Sequence, residues 1–363
     1  MKLLIVLSSS DFDNFTRRAT VEAICKEHEN TTILLLNSVK SWPIDKPSNT
    51  NLKWKVYYSF TLGKLKNRVR KIELQFKRLY WNRFIQSFDT VFLTDPNQEI
   101  LLEHISEKQQ LLYLIRDPNV LLSRNNEWKE RNILVKNPHV FGISKALCST
   151  YLQYYYQDLK IKKITYWPNT VDMSIWCYEK VQKNKKEKFP NKVAGVIGNL
   201  TFKTDLDLLD YITEENPEIR FEIYGKLKLE GDRLERFKKI TEKENVYFGG
   251  FVPFEELPPI VLSWDLGLVI ERMDMDFSAY YDANKRYQYV AMGIPFVSYH
   301  YNGECDKFGV AAYIADSKEE YSQKIREALI ASVNKTLVEI CLKKARENSN
   351  EVRAKHFLKL IAQ

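Results

Sequence analysis

The stretch DANKRYQYVAMGIPFVSYH, Asp282–His300, sets a basic, aromatic segment directly before an apolar one that ends in IPFVS. Two readings are open from these residues alone. One is a core helix followed by a core strand. The other is a helix whose N-terminal end holds a phosphate, since a first helical turn offers unpaired N–H groups and a positive dipole end to an anion. A lysine such as Lys285 is most often a plain surface residue. The neighbouring sequence has to decide.

Working outward, the second half alternates short apolar runs with helical patterns. VAGVIGN (Val193–Asn199), FEIYGK (Phe221–Lys226), NVYFGGF (Asn245–Phe251), LGLVIE (Leu266–Glu271) and IPFVSYH (Ile294–His300) read as strands. The segments KEEYSQKIREALIASV and VEICLKKARENSNEVRAKHFLKLIAQ read as helices. The first half repeats the scheme with LLIVLSS (Leu3–Ser9), TILLLNS (Thr32–Ser38), TVFLTD (Thr90–Asp95), LLYLIRD (Leu111–Asp117), HVFGIS (His139–Ser144) and KITYWPNTVD (Lys163–Asp172). Between Thr32–Ser38 and Thr90–Asp95, Leu62, Leu65, Val69, Ile72, Phe76 and Leu79 recur at helical spacing. Alternating strands and helices imply parallel sheets with right-handed crossovers. The polar run CYEKVQKNKKEKFPN (Cys177–Asn191) reads as a surface connection. The expected division is 1–172, with a basic helix at 62–86, a linker at 173–192, a second domain at 193–345 and a final helix at 346–363 that crosses back to the first domain. Such sheets bind ligands at the carboxyl ends of their strands.

A length of 363 residues allows two hydrophobic cores, and 44% hydrophobic with 13% aromatic residues is the composition of a folded chain. No apolar run approaches the roughly 20 residues of a membrane span. MKLLIVLSSSDFD is read as a first buried strand, because its apolar core Leu3–Leu7 is short for a secretory leader. The five cysteines are odd in number and scattered, without the spacing of a zinc site or a disulfide framework, which fits a reducing cytoplasm. The +8 net charge is local. Ten of the basic residues lie between Lys53 and Arg83 against the single acid Glu73, so the remainder of the chain carries −1.

VIGNLTFKTDLDLLDYI, RFEIYGK, NVYFGGFVPFEELPPIVLSWDLGLVIE and DANKRYQYVAMGIPFVS, in that order, resemble the donor-binding domain of GT-B glycosyltransferases. The nearer likeness is to bacterial surface-polysaccharide transferases, such as those making teichuronic acid or adding xanthan glucuronate. It covers most of Val193–Ser298; in the first half it rests on strand order and on YWPNTVD (Tyr166–Asp172). The resemblance implies an α/β GT-B fold of two Rossmann-like, doubly wound domains facing a central cleft. It implies transfer of a sugar from a nucleotide-diphosphate donor, UDP-linked by preference, with no metal or other cofactor. Lys285 matches the family lysine that faces the donor diphosphate, and Asp282 stands where the family has asparagine. Gly198 and Asn199 match its glycine loop, with Lys203 behind them, and Lys226 ends the next strand. Phe251 and Val252 fall in the loop that packs on the nucleobase. The chain departs from the pattern at Gln288, where a ribose-binding glutamate is usual, and at Tyr280, eight positions earlier. Glutamine can accept one such bond but carries no charge.

A sugar transfer needs a base for the acceptor hydroxyl. In the first half Asp11, Asp95 and Asp117 each follow a strand; Asp117 is the first choice and Asp11 the second, while turn or cap aspartates are common at such places. Asp274-Met275-Asp276 has the D-x-D spacing of a metal-binding transferase, but a two-domain chain favours a capping or solvated loop. Lys64, Lys66, Arg68, Arg70, Lys71, Lys77, Arg78, Trp81 and Arg83 combine cations with aromatic neighbours, a composition suited to an anionic membrane surface. The expected partners are a nucleotide-sugar donor, a glycan or lipid-linked acceptor and the inner face of a membrane, with peripheral cytoplasmic attachment. No nucleic-acid module accompanies the charge. Two rivals stand beside this reading: a nucleotide-sugar epimerase of the same fold, and a catalytically silent glycan-binding or regulatory partner, which Gln288 and Tyr280 favour.

Overall fold

The computed structural model describes residues 1–9, 18–38, 53–59, 78–122, 124–182, 192–300 and 304–362. The chain divides into two units, Met1–Pro168 with Arg353–Gln363, and Asn169–Val352.

The first unit is built on a seven-stranded parallel sheet: β1 (Leu3–Ser9), β2 (Thr31–Ser38), β3 (Lys53–Ser59), β4 (Thr90–Leu93), β5 (Gln110–Ile115), β6 (His139–Gly142) and β7 (Lys163–Tyr166). Their spatial order is β3-β2-β1-β4-β5-β6-β7. Leu3, Leu4, Ile5 and Val6 in β1 are fully buried. That follows from a sheet covered on both faces, which demands continuous apolar strands in place of alternation. Helix α1 (Arg18–Glu27) buries Val21, Ala23 and Ile24. Helix α2 (Arg78–Ile85) buries Trp81 and Ile85. Near the C-terminus Phe357 packs on Phe92, Phe141 and Trp167 with ring centroids 5.0, 5.3 and 5.2 Å away, so the last residues belong to this unit. KWKVYYS, β3, was not anticipated as a strand: its lysines interrupt the apolar pattern, as an edge position permits.

The second unit carries a six-stranded parallel sheet: β8 (Val193–Ile197), β9 (Arg220–Tyr224), β10 (Val246–Gly250), β11 (Leu266–Val269), β12 (Phe296–Tyr299) and β13 (Ala312–Ala315), ordered β10-β9-β8-β11-β12-β13. Helices α3 (Leu206–Glu215), α4 (Gly231–Thr241), α5 (Asn284–Ala291), α6 (Lys318–Ala331) and α7 (Lys335–Glu347) cover it. One hydrophobic cluster gathers Leu209, Ile212, Phe221, Phe237, Leu268 and Ile325; a second gathers Trp176, Trp264, Tyr287, Tyr289, Phe296 and Phe308. The expected linker spans 173–192. Trp176 is fully buried in the second cluster, and Tyr178–Gln182 is helical, because an indole of that size is held by apolar packing. Residues 183–191 lie outside the described residues.

In the second sheet the order reverses between β8 and β11. At that switch point the helices following the two strands diverge to opposite faces and leave a crevice at the carboxyl ends.

Candidate functional site

The switch point places two turns side by side. Gly198 follows β8 with φ +119, a region that side-chain-bearing residues rarely enter. Gly225 follows β9, and a Cβ there would lie 1.9 Å from the Gly198 carbonyl oxygen. Backbone bonds lace the turns together. Gly198 N–H donates to Tyr224 at 3.0 Å, Leu200 to Lys226 at 3.0 Å, Lys228 to Leu200 at 2.8 Å, and Gly225 to Gly250 at 2.7 Å. Gly225 is therefore required by close approach and Gly198 by its backbone conformation. The loop then passes Lys203, turns through Thr201 and Thr204, and enters α3, whose cap Asp205 accepts from Leu208 N–H at 2.8 Å.

Helix α5 faces this turn. Ala283 at its N-cap contributes no side-chain hydrogen bond. Tyr289 fixes the helix to the sheet: its hydroxyl donates to the Leu268 carbonyl at 3.0 Å and accepts from Ile197 N–H at 3.2 Å. The first turn of α5 thereby brings the Lys285 side chain to Gly198, where a Cβ would lie 3.7 Å from Nζ. Lys285 Nζ pairs with Glu271 Oε1 at 3.0 Å, with side chains 17% and 23% exposed. Glu271 follows β11. Burial alone would push its carboxyl up, but the Lys285 ammonium, with Arg286 and Lys203 beyond it, holds the group below its ordinary value. The Lys203 segment runs against the same strand end, with Arg272 N–H donating to Lys203 at 2.8 Å and Asp205 N–H to Ile270 at 2.9 Å. The Lys203 ammonium hydrogen-bonds the Tyr281 hydroxyl and lies 3.9 Å from that ring's centroid.

Beside the turns, a pocket of 470 Å³ is lined by Gly225, Lys226, Leu227, Lys228, Phe248, Gly250 and Phe251. Lys226 Nζ stands 4.4 Å from the Phe251 ring centroid, and Phe251 is 59% exposed. An ammonium group at a glycine turn, with a second on the loop beyond it and an open pocket holding an exposed aromatic ring, can hold an anion joined to a flat ring.

Gly198, Asn199, Lys203, Lys226, Phe251 and Lys285 thus gather at one edge of one sheet. Asn199 is exposed, and Val252 and Gln288 are half-buried; Gln288 stands one turn beyond Lys285 on α5. Asp282 does something else. Its side chain is fully buried and accepts from Asn169 N–H at 2.9 Å and from the Tyr287 hydroxyl at 2.5 Å. Lys307 pairs with it at 2.9 Å and Arg286 lies at 3.9 Å. Asp282 cannot reach a ligand without unpacking this network; it fixes where α5 begins. Glu271, Tyr281 and Tyr289 were missed. A polar residue directly after LGLVI was the available signal for Glu271.

In the first unit Asp117 is half-exposed, two residues beyond β5. The segment after it is pinned from below. Asn119 Nδ2 donates to Glu130 Oε2 at 2.5 Å, and Val120 N–H donates to the Tyr151 hydroxyl at 3.1 Å. Glu130 is fully buried and also accepts from Tyr113, Tyr151 and Tyr156 at 3.0, 2.7 and 2.9 Å. Asp95 is a helix cap, accepting from Asn97 N–H at 2.8 Å. Asp11, Lys64, Lys66, Arg68, Arg70, Lys71 and Lys77 lie outside the described residues. Arg78 and Arg83 are exposed, and Leu79 is 87% exposed, whereas Trp81 is 1% exposed and turns into the core. Its ring is therefore withdrawn from the surface patch assigned to it. Asp274 is engaged by Arg272 at 2.8 Å. Among the described residues, no helix is long and apolar enough to cross a membrane.

No protein-family model matches the chain, and no curated protein matches it by sequence. Solved structures do match by shape. HepE of Anabaena in complex with UDP and glucose is similar over 100% of both chains, with a TM-score of 0.70 and 15% identity. Sucrose-phosphate synthase of Thermosynechococcus elongatus is similar over 100% of this chain and 98% of its own, with a TM-score of 0.74 and 11% identity. The lipopolysaccharide outer core galactosyltransferase WaaB is similar over 99% of both chains, with a TM-score of 0.68 and 13% identity. At such identities the likeness speaks of architecture, and with the two switch-point sheets it establishes that the chain has the α/β GT-B fold, built from two Rossmann-like units.

Proposed function

We propose that the protein is a glycosyltransferase that uses a nucleoside-diphosphate sugar, with UDP as the nucleotide, and works without a metal. The observation that carries the reading is Lys285, brought to the Gly198 turn at the switch point of the second sheet, with Lys203 on the loop that leaves that turn. The donor diphosphate lies against Gly198, Asn199 and these two ammonium groups. The base occupies the pocket of Lys226 and Phe251, and Gln288 accepts one ribose hydroxyl. HepE complexes containing UDP and UDP-glucose support the choice of nucleotide.

In the reaction, the acceptor oxygen bonds to the anomeric carbon as the bond from that carbon to the diphosphate breaks. The bonding pair leaves with the nucleoside diphosphate, whose new charge is stabilised by Lys285 and Lys203. The acceptor proton passes to a carboxylate, for which we assign Asp117, with Asp11 as the alternative. The acceptor is a glycan or a lipid-linked glycan of the cell surface. TarM, which is similar in fold over 82% of this chain and 59% of its own with a TM-score of 0.56, is known in complex with UDP and glycan compounds. Arg78 and Arg83, with the basic residues preceding them, would hold the protein to the anionic inner face of a membrane.

Thermal-shift measurements with UDP, GDP, CMP and their sugars, with and without EDTA, test the reading. A ligand that binds only the folded chain raises its apparent stability. An EDTA-insensitive shift with one nucleotide family, lost in Lys285→Ala, is expected. No shift with any nucleotide would overturn it.

A further inference from the structure

Lys285 has a carboxylate partner of its own in the fold. Its partner, Glu271, ends the strand beside the glycine turn and sits 3.0 Å away. A carboxylate so close to a phosphate-binding ammonium should repel the phosphate. Its placement is not incidental: Thr204 bridges to Glu271 through the backbone, and Arg272 N–H holds Lys203. The segment bearing one lysine is therefore tied to the carboxylate that pairs with the other.

We propose that Glu271 is a resident anion: it occupies Lys285 until a nucleoside diphosphate displaces it, and it reclaims the lysine as product leaves. This rests on the donor-site reading above. Lys285 and Lys203 are both partly buried and both act on the Glu271 carboxyl, which offsets their repulsion. An incoming diphosphate brings more negative charge and more acceptor oxygens than one carboxylate, so Lys285 changes partner. After the glycosyl bond breaks, the diphosphate carries one more negative charge than it did in the donor. Product would then be held more tightly than substrate. A carboxylate competing for the same ammonium lowers the affinity for both and hastens product release. Glu271 acts through Lys285, as a positioning residue.

The test is UDP and GDP binding to the full chain by calorimetry, with donor kinetics, for wild type, Glu271→Gln and Glu271→Asp. With the competing charge removed, Glu271→Gln should bind the preferred nucleotide about tenfold more tightly, since like charge facing a ligand costs this much or more. Donor KM and kcat should both fall, and inhibition by the free nucleotide should strengthen. Glu271→Asp keeps the charge while lengthening the pair, and should bind more tightly by a smaller factor. It decides the matter if Glu271→Gln does not fold. Unchanged or weaker binding in the variants, beside a wild type that binds, overturns the resident-anion role and leaves the donor site standing. No nucleotide binding by wild type or by either variant overturns both.

Discussion

The Asp282 carboxylate accepts the backbone N–H of Asn169 at 2.9 Å, and the Asn169 side chain returns a bond to the Asp282 carbonyl at 2.5 Å. This two-way clamp joins the chain just after Pro168 to the residue just before the α5 cap. The same carboxylate balances Lys307 and Arg286, both of which lie mostly or wholly out of solvent. Removing it takes the nearest described carboxylate from Arg286 and leaves Lys307 to share only Glu304, at 2.9 Å. Asp282→Ala should cost about 3–5 kcal/mol, the usual penalty for breaking a buried ion pair from one side. Urea unfolding followed by a signal from the second unit measures it. A loss below about 1 kcal/mol, the scale of an exposed pair, would contradict the assignment.

Gly225→Ala tests the turn itself. The new methyl would stand 1.9 Å from the Gly198 carbonyl oxygen, and that neighbour is backbone, which cannot rotate away. The two turns must part. Overpacking of this kind costs about 1–3 kcal/mol. Because Gly198 moves, nucleotide binding should fall further than stability does. Calorimetry beside a thermal melt separates the two effects, and unaltered affinity would show that the turn takes no part in binding.

Much of the fold was legible because buried parallel strands announce themselves as unbroken apolar runs. LLIVLSS, VAGVIGN and LGLVIE needed no pairing information to be seen. Two of the four edge strands, β3 and β13, were not legible. KWKVYYS alternates charge with apolar residues, and AYIA at β13 is too short to stand out from a loop. At the site, Lys285 and Gly198 were picked out by the resemblance to the GT-B donor-binding domain, because taken alone a lysine opening a helix and a glycine ending a strand have ordinary readings. Glu271 was not, because its meaning lies in a contact with Lys285 that depends on how β11 and α5 pack. Asp282 misled for the same reason. A carboxylate at a helix start looks like a ligand contact or a cap until its burial is known. Trp81, counted with its basic neighbours, belongs to the opposite face of the same helix.

His139 should give the protein an acid-sensitive window. Burial, with Lys163 adding to it, lowers this imidazole from 6.5 to about 4. One ring nitrogen meets the Thr165 hydroxyl at 2.8 Å, while Nδ1 is buried without a hydrogen-bond partner. Between those two pH values the unfolded chain binds a proton that the folded chain refuses. Stability contributed by the neutral ring is therefore whole above about pH 6.5 and declines as pH falls towards 4. His139→Gln should flatten this part of the Tm profile relative to wild type. Parallel profiles for the two proteins would assign the acid loss to other groups.

Glu130 carries the last expectation, because it ties the acceptor-side candidate to a buried framework. Burial pushes its carboxyl up, and hydrogen bonds from Tyr151, Asn119, Tyr156 and Tyr113 oppose that rise. Through Asn119, and through Tyr151 bonded to Val120 N–H, the same group sets the path of the segment immediately after Asp117. Glu130→Gln keeps the shape but turns an amide donor towards groups that now donate, so at least one bond must reverse or break. Tyr113, Asn119, Tyr151 and Tyr156, which hydrogen-bond Glu130, all belong to the first unit. Turnover should fall about 10- to 100-fold, the scale at which small misplacement of a reacting group acts, while UDP affinity stays within about twofold. Steady-state kinetics and calorimetry on the same preparation check both halves. Full turnover in Glu130→Gln, with a lowered Tm that shows the network was broken, would remove Asp117 from the chemistry and turn attention to Asp11.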